Sequence, residues 1–180
     1  ACMGNTIDTC SIINGRSGRC SEDCKWCAQS RHHHTGIDEY EYVSHSAAVE
    51  AAKANHGKGV QRISLVTSGR RMPKNQLQHF CDIYRDMTRE TGMGLCASMG
   101  LLGKEELQIL KDAGVRRYHC NLETSSSFFP SLCTTHTHQE KLATIRAARE
   151  VGLEVCSGGI IGMGETLRQR LELAQEARQA

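Results

Sequence analysis

The sequence carries little net charge, few aromatics and no long apolar run. With 22 Lys and Arg against 20 Asp and Glu, and aromatics at only 4%, it has no basic stripe interleaved with aromatic rings. A nucleic-acid surface is therefore not expected. No apolar stretch approaches the length of a membrane span, and the opening ACMGNTIDTC lacks the charged and apolar regions of a signal peptide. The expectation is a cytoplasmic chain with no membrane partner. Met is also missing from position 1, which favours a piece of a longer protein. The 180 residues can bury one sizeable core but not two, so 1–180 is expected to be a single domain.

What is abundant is cysteine, ten residues in all. Five disulfides are the alternative to metal, but a small disulfide scaffold would lack the amphipathic helices that run through this chain. A helical stretch, a glycine and a short apolar strand recur four times, in AKANHGKGVQRISLVTSG, MTRETGMGLCASMG, LQILKDAGVRRYHCNLETS and IRAAREVGLEVCSGGIIG. Gly57, Gly92, Gly114 and Gly152 are placed to end those helices in the left-handed conformation. Pro73 and the capping-box spacing of Thr137 and Glu140 mark helix starts. Strands are predicted at 8–14, 61–67, 94–99, 116–123 and 154–160. Such alternation implies an α/β fold with parallel strands and helices outside. A closed eight-stranded barrel takes roughly 250 residues, so about five of eight βα units predict a partial TIM-type (β/α) barrel, with an open doubly wound sheet as the alternative.

Cys20, Cys24 and Cys27 stand at C-x3-C-x2-C spacing directly after the first strand. Three thiolates can wrap an iron–sulfur core and leave one corner without a protein ligand, where a substrate can bind. Alternatively, the three with one of His32, His33 or His34 would close a structural zinc site. The spacing leaves both open. With the aromatic Trp26 before the last cysteine, it resembles the signature of the radical S-adenosylmethionine (SAM) enzymes. SGRCSEDCKWCAQS, HCNLETS, TTHTHQEK and VCSGGIIGMGET together resemble the biotin synthase family within that superfamily, over essentially all 180 residues.

The resemblance implies a 4Fe-4S cluster on Cys20, Cys24 and Cys27 whose open iron binds SAM. It implies a sulfurtransferase that abstracts hydrogen from dethiobiotin and inserts sulfur from an auxiliary iron–sulfur cluster. An electron donor such as flavodoxin or ferredoxin, iron–sulfur assembly proteins and a homodimer are the partners it suggests. It assigns Trp26 to the adenine surroundings, Asn121 and Glu123 to the ribose, and the GGIIGMGE stretch with Gly158, Gly159 and Ile160 to the cofactor pocket. Asn121 and Glu123, two apart on the predicted strand, would share a face. Lys141 stands where many members carry Arg, suited to the cofactor carboxylate; Arg62 matches a substrate-facing position.

The auxiliary ligands depart from the better-known family pattern. Cys96 and Cys156 keep the third- and fifth-strand positions, but the second-strand position is Ser64. Cys120 stands where many members have His, and Cys10 where serine is common. Cys10, Cys96, Cys120 and Cys156 are therefore the expected auxiliary ligands, holding a two-iron or a four-iron cluster, although strict alternation turns Cys120 to the face opposite Asn121 and Glu123. Cys81 falls on the apolar helix face with Leu77, Phe80 and Tyr84 and reads as core. Cys133 has no evident role, Cys2 is terminal, and the three histidines read as a polar loop. Alternatives are a hydrogenase-maturation or methylornithine synthase type of radical enzyme and a zinc-stabilised structural or binding protein. Five strands alone would expose the barrel interior, so low solubility or poor cluster retention is expected.

Overall fold

Side chains along a strand alternate between its two faces, and here the two faces differ in character. Ile63, Leu65, Leu95, Ala97 and Tyr118 are buried and join the helices in one core. Arg62, Ser64, Cys96 and Arg117 occupy the alternate positions of the same strands. The computed structural model describes residues 7–180; Cys2 lies outside them. Strands β1 (Cys10–Arg16), β2 (Arg62–Thr67), β3 (Gly94–Ser98), β4 (Arg117–His119) and β5 (Glu154–Cys156) alternate with helices α1 (His45–Gly57), α2 (Lys74–Thr91), α3 (Lys104–Asp112), α4 (His138–Glu150) and α5 (Leu167–Gln179).

All four strand pairings are parallel and the sheet order is β1-β2-β3-β4-β5. A doubly wound sheet would reverse its order at a switch point. The unbroken order, with α1 against α2, α2 against α3 and α3 against α4, is a singly wound arc of a (β/α) barrel. Its concave face leaves Ile12 66% exposed. No helix among the described residues is long and apolar enough to cross a membrane.

The helix boundaries follow local chemistry. Pro73 caps α2, and Gly92 ends it at φ 66, its N–H donating to Thr88 O at 3.0 Å. The Thr137–Glu140 capping box forms in both directions. One expectation needs correcting: Gly57 is the last helical residue of α1, and the left-handed turn falls on Gly59, at φ 80. Strands β4 and β5 are also shorter than predicted. Their pairing continues irregularly, Cys120 N–H to Cys156 O at 3.0 Å and Leu122 N–H to Gly158 O at 2.9 Å. Glu123, at φ 69, then bends the chain away.

Tyr118 ties this sheet to the loop after β3. It is 1% exposed, its hydroxyl donates to Gly100 O at 2.7 Å and accepts from Met99 N–H at 3.1 Å. Tyr118→Phe keeps the ring but orphans the Met99 N–H, while Gly100 O keeps the Leu102 N–H; one buried unsatisfied donor is expected to cost about 1–3 kcal/mol. The check is the urea midpoint at constant m-value; an unmoved midpoint contradicts it.

Candidate functional site

Past β1 the chain turns through Gly18 (φ 79) and Arg19 (φ 53) into the cysteine loop. That loop closes on itself: Cys20 N–H donates to Gln29 O at 2.9 Å, Arg31 N–H to Cys20 O at 2.9 Å, and Cys27 N–H to Cys24 O at 3.0 Å. Cys20 and Cys24 are buried, Cys27 is half-buried, and all three thiols are free. His32 and His33 brace the loop from outside, through Ser21 O at 3.1 Å and Cys24 O at 3.0 Å.

Asp23 docks the loop on the segment before α4. Its carboxylate accepts from Thr134 N–H at 2.9 Å, from Thr135 N–H at 3.2 Å and from both threonine hydroxyls. The Thr134 hydroxyl and amide hold the Asp23 carboxyl far below its ordinary range. A carboxylate depressed by folding stabilises above its unfolded pKa of about 3.9 and stops doing so as pH falls through the lower folded value. The Tm gap between wild type and Asp23→Ala is therefore expected to stay flat above about pH 5 and to close in stronger acid. A gap that widens on acidification contradicts it.

Across one cavity the three thiols and Trp26 face Asn121, Glu123 and Lys141. Lys141 Nζ lies 3.7 Å from Glu123 Oε1, both side chains nearly buried. Asn121 and Glu123 are not on a regular strand as expected, because β4 stops at His119 and Glu123 turns left-handed; both still reach the cavity. Trp26 stacks edge-on against Phe129, ring centroids 5.8 Å apart. Gly158, Gly159 and Ile160 do not line this cavity. A Cβ at Gly159 would meet Glu123 O at 2.8 Å and Leu173 Cδ2 at 2.5 Å, so that glycine lets protein backbone, rather than a ligand, approach closely.

The concave face of the sheet holds a second group. Cys10, Cys96 and Cys156 occupy it with Arg62, Ser64 and Arg117, as the strand register requires. Burial and then the neighbouring Cys10 push the Cys96 thiol up to about 12, while Arg117 and Arg62 pull against them. Arg62 pairs with Asp8 at 2.9 Å, and Arg117 with Asp8 at 3.1 Å and Glu154 at 2.9 Å. Ser64 Oγ is buried there with no partner among the described residues.

Cys120 does not join them. Alternation turns it to the helix side, where it sits in the main core with its thiol 3.9 Å from Lys141 O. It reaches the rim of the first cavity but not the concave group. The bulge that would have brought it there is absent, because pairing with β5 continues straight through Cys120. His119, at register with Cys156, takes the inward position instead, 3.2 Å from Ser98 Oγ.

Sequence reasoning also left Cys133 without a place and did not single out His136. Cys133 Sγ lies 3.7 Å from Cys24 Sγ, and His136 Nδ1 is 2.7 Å from Glu22 Oε2. The C-x2-H spacing of Cys133 and His136 was the available signal. Cys81 is core as expected.

The donor set fits an iron–sulfur cluster: three free thiols from one closed loop line a single cavity without converging on one point. Thiolates on separate irons stand further apart than thiolates sharing an ion. The sequence matches the Radical SAM superfamily over residues 16–177. It is 58% identical over 172 residues to biotin synthase of Porphyromonas gingivalis, covering 96% of this chain and 52% of that one. It is 57% identical over 175 residues to biotin synthase of Desulfotalea psychrophila, covering 97% and 52%. The chain thus spans about half the length of the curated relatives it matches. In fold it is similar to methylornithine synthase, with a TM-score of 0.84 at 17% identity over 98% of this chain and 51% of that one. The FeFe-hydrogenase maturase of Carboxydothermus hydrogenoformans gives 0.78 at 18% identity, over 95% and 40%.

Proposed function

Because the chain belongs to the radical SAM superfamily, whose members carry a 4Fe-4S cluster and bind SAM, we propose that it serves the biotin synthase reaction, sulfur insertion into dethiobiotin. The observation that carries this is the cavity in which Cys20, Cys24 and Cys27 face Asn121, Glu123 and Lys141, together with 50–58% identity to proteins named biotin synthase. When bound, the cluster supplies the electron that cleaves SAM and so generates the radical.

The chain's own residues bind and shield. Cys20, Cys24 and Cys27 hold three irons. Lys141 offers a buried ammonium to the SAM carboxylate, as a single charge without the fork of an arginine. Glu123 and Asn121 accept and donate hydrogen bonds at the ribose, and Trp26 with Phe129 gives an apolar wall that excludes water. On the concave face Cys10, Cys96 and Cys156 would hold the auxiliary cluster, beside Arg62 and Arg117 in their pairs with Asp8 and Glu154. Arg62 serves the substrate from there. All of these groups sit in one domain, and the electron donor is a small reductant protein.

The test is anaerobic reconstitution with iron and sulfide, then reduction in the presence of SAM with and without dethiobiotin. Release of 5′-deoxyadenosine, with biotin formed only when dethiobiotin is present, is the expected result. A colourless chain holding stoichiometric zinc, with no SAM cleavage, overturns the reading. Cleavage of SAM without any turnover of dethiobiotin removes the substrate assignment alone.

A further inference from the structure

Beside the cluster loop stands a second donor set that the proposed reaction does not use. Cys24, Cys133 and His136 are all buried, and they form the one trio among the described residues whose ligand atoms lie within 4.8 Å of one another. The Cys24 and Cys133 sulfurs are 3.7 Å apart; Cys133 Sγ is 3.3 Å from His136 Nδ1 and 3.9 Å from Nε2. A zinc ion with bonds of about 2.3 Å to sulfur and about 2.0 Å to nitrogen sets tetrahedral edges of about 3.8 Å between two sulfurs and about 3.5 Å between sulfur and nitrogen. The sulfur–sulfur separation matches such an edge, the 3.9 Å from Cys133 Sγ to Nε2 is a few tenths of an ångström longer than the sulfur–nitrogen one, and all three donors lie within 4.8 Å of one another, within reach of a single ion.

The surroundings support the histidine in that role. Glu22 Oε2 lies 2.7 Å from His136 Nδ1, so the ring donates there and leaves Nε2 for the ion. A carboxylate behind a ligating histidine is the usual outer-shell arrangement of a zinc site. His136 borders the main cavity on one side and, on the other, an outer cleft lined by Phe129, Pro130, Cys133 and Thr134, which gives an entry path.

We propose that Cys24, Cys133 and His136 form a site for one thiolate-preferring divalent cation, of the zinc class, in the cluster-free protein. Binding releases the two thiol protons to solvent, with no change of oxidation state. Cys24 belongs to both donor sets, so the ion and the cluster exclude each other. The site acts as a metal-dependent block on cluster assembly.

Cobalt(II) is the probe, added to the reduced, cluster-free chain under anaerobic conditions. The wild type is expected to give a near-ultraviolet sulfur-to-cobalt band with the intense visible bands of four-coordination. Cys133→Ala and His136→Asn should each weaken cobalt binding at least about tenfold, while Cys20→Ala keeps it. Cobalt-loaded wild type should take up little iron on reconstitution, and Cys133→Ala should take up iron despite cobalt. Circular dichroism reports folding, and should one variant unfold the other decides. The proposal is overturned if the wild type gives no such bands. It is equally overturned if Cys20→Ala abolishes them while Cys133→Ala does not, since the ion then sits on the loop triad. Iron uptake with cobalt retained overturns the exclusion.

Discussion

Cys27→Ala is expected to lower reductive SAM cleavage at least about a thousandfold, equivalent to about 4 kcal/mol of barrier. The protein should lose about four irons per chain. The size of the effect follows from what the group does: the cluster carries the electron, and no side chain can replace it. Cys27 is the informative member of the three because it is half-buried and its loop contacts are backbone ones, N–H to Cys24 O and carbonyl from Ser30 N–H, which alanine keeps. Removing its sulfur leaves the docking of the loop through Asp23 intact. Circular dichroism should therefore match wild type while iron analysis and 5′-deoxyadenosine release collapse. Full iron content with full cleavage would show that the loop does not hold the cluster.

Cys96→Ala and Cys156→Ala should each remove the auxiliary iron and end biotin formation while leaving SAM cleavage in place. Cys120→Ala should keep that iron. The contrast comes from the register: Cys96 lies beside Ser64 and Arg117 on the concave face, whereas Cys120 is packed into the helix side. Cys120→Ala instead trims the core and is expected to cost about 1 kcal/mol of stability. Mössbauer spectra of the anaerobically reconstituted variants separate the two clusters. Loss of auxiliary iron in Cys120→Ala would restore that cysteine as a ligand and require the strand to bulge.

The fold was legible because it depends on local periodicity. Glycines after amphipathic stretches, the Thr137–Glu140 box and Pro73 are signals of a few residues each, and all mark real boundaries to within a turn. The misplaced turn at Gly57 shows their resolution: two glycines stand two apart, and only the formed helix selects Gly59. The ends of β4 and β5 were less legible, since Glu123 bends the chain in a conformation its residue type does not announce.

The site divides in the same way. The loop triad was readable because three thiols within eight residues stay on one short loop, and in the structure all three line one cavity. The concave triad was half readable. Alternation already warned against Cys120, but only the unbroken pairing with Cys156 settled its direction. For Cys133 only the local C-x2-H spacing to His136 was readable, not its place beside Cys24. Its neighbour Cys24 is 109 residues away in sequence, and no spacing rule spans that distance.

By itself, then, the sequence determined the order of helices and strands and the gathering of Cys20, Cys24 and Cys27 on one loop after β1, because both arise from groups close along the chain. The tertiary structure alone decided that the sheet winds one way, that His119 rather than Cys120 faces inward, and that Cys133 and His136 stand beside Cys24. Those outcomes depend on strand register and on loop docking through Asp23. Both are fixed by packing between distant segments, where a single residue of slip would turn each side chain to the opposite face.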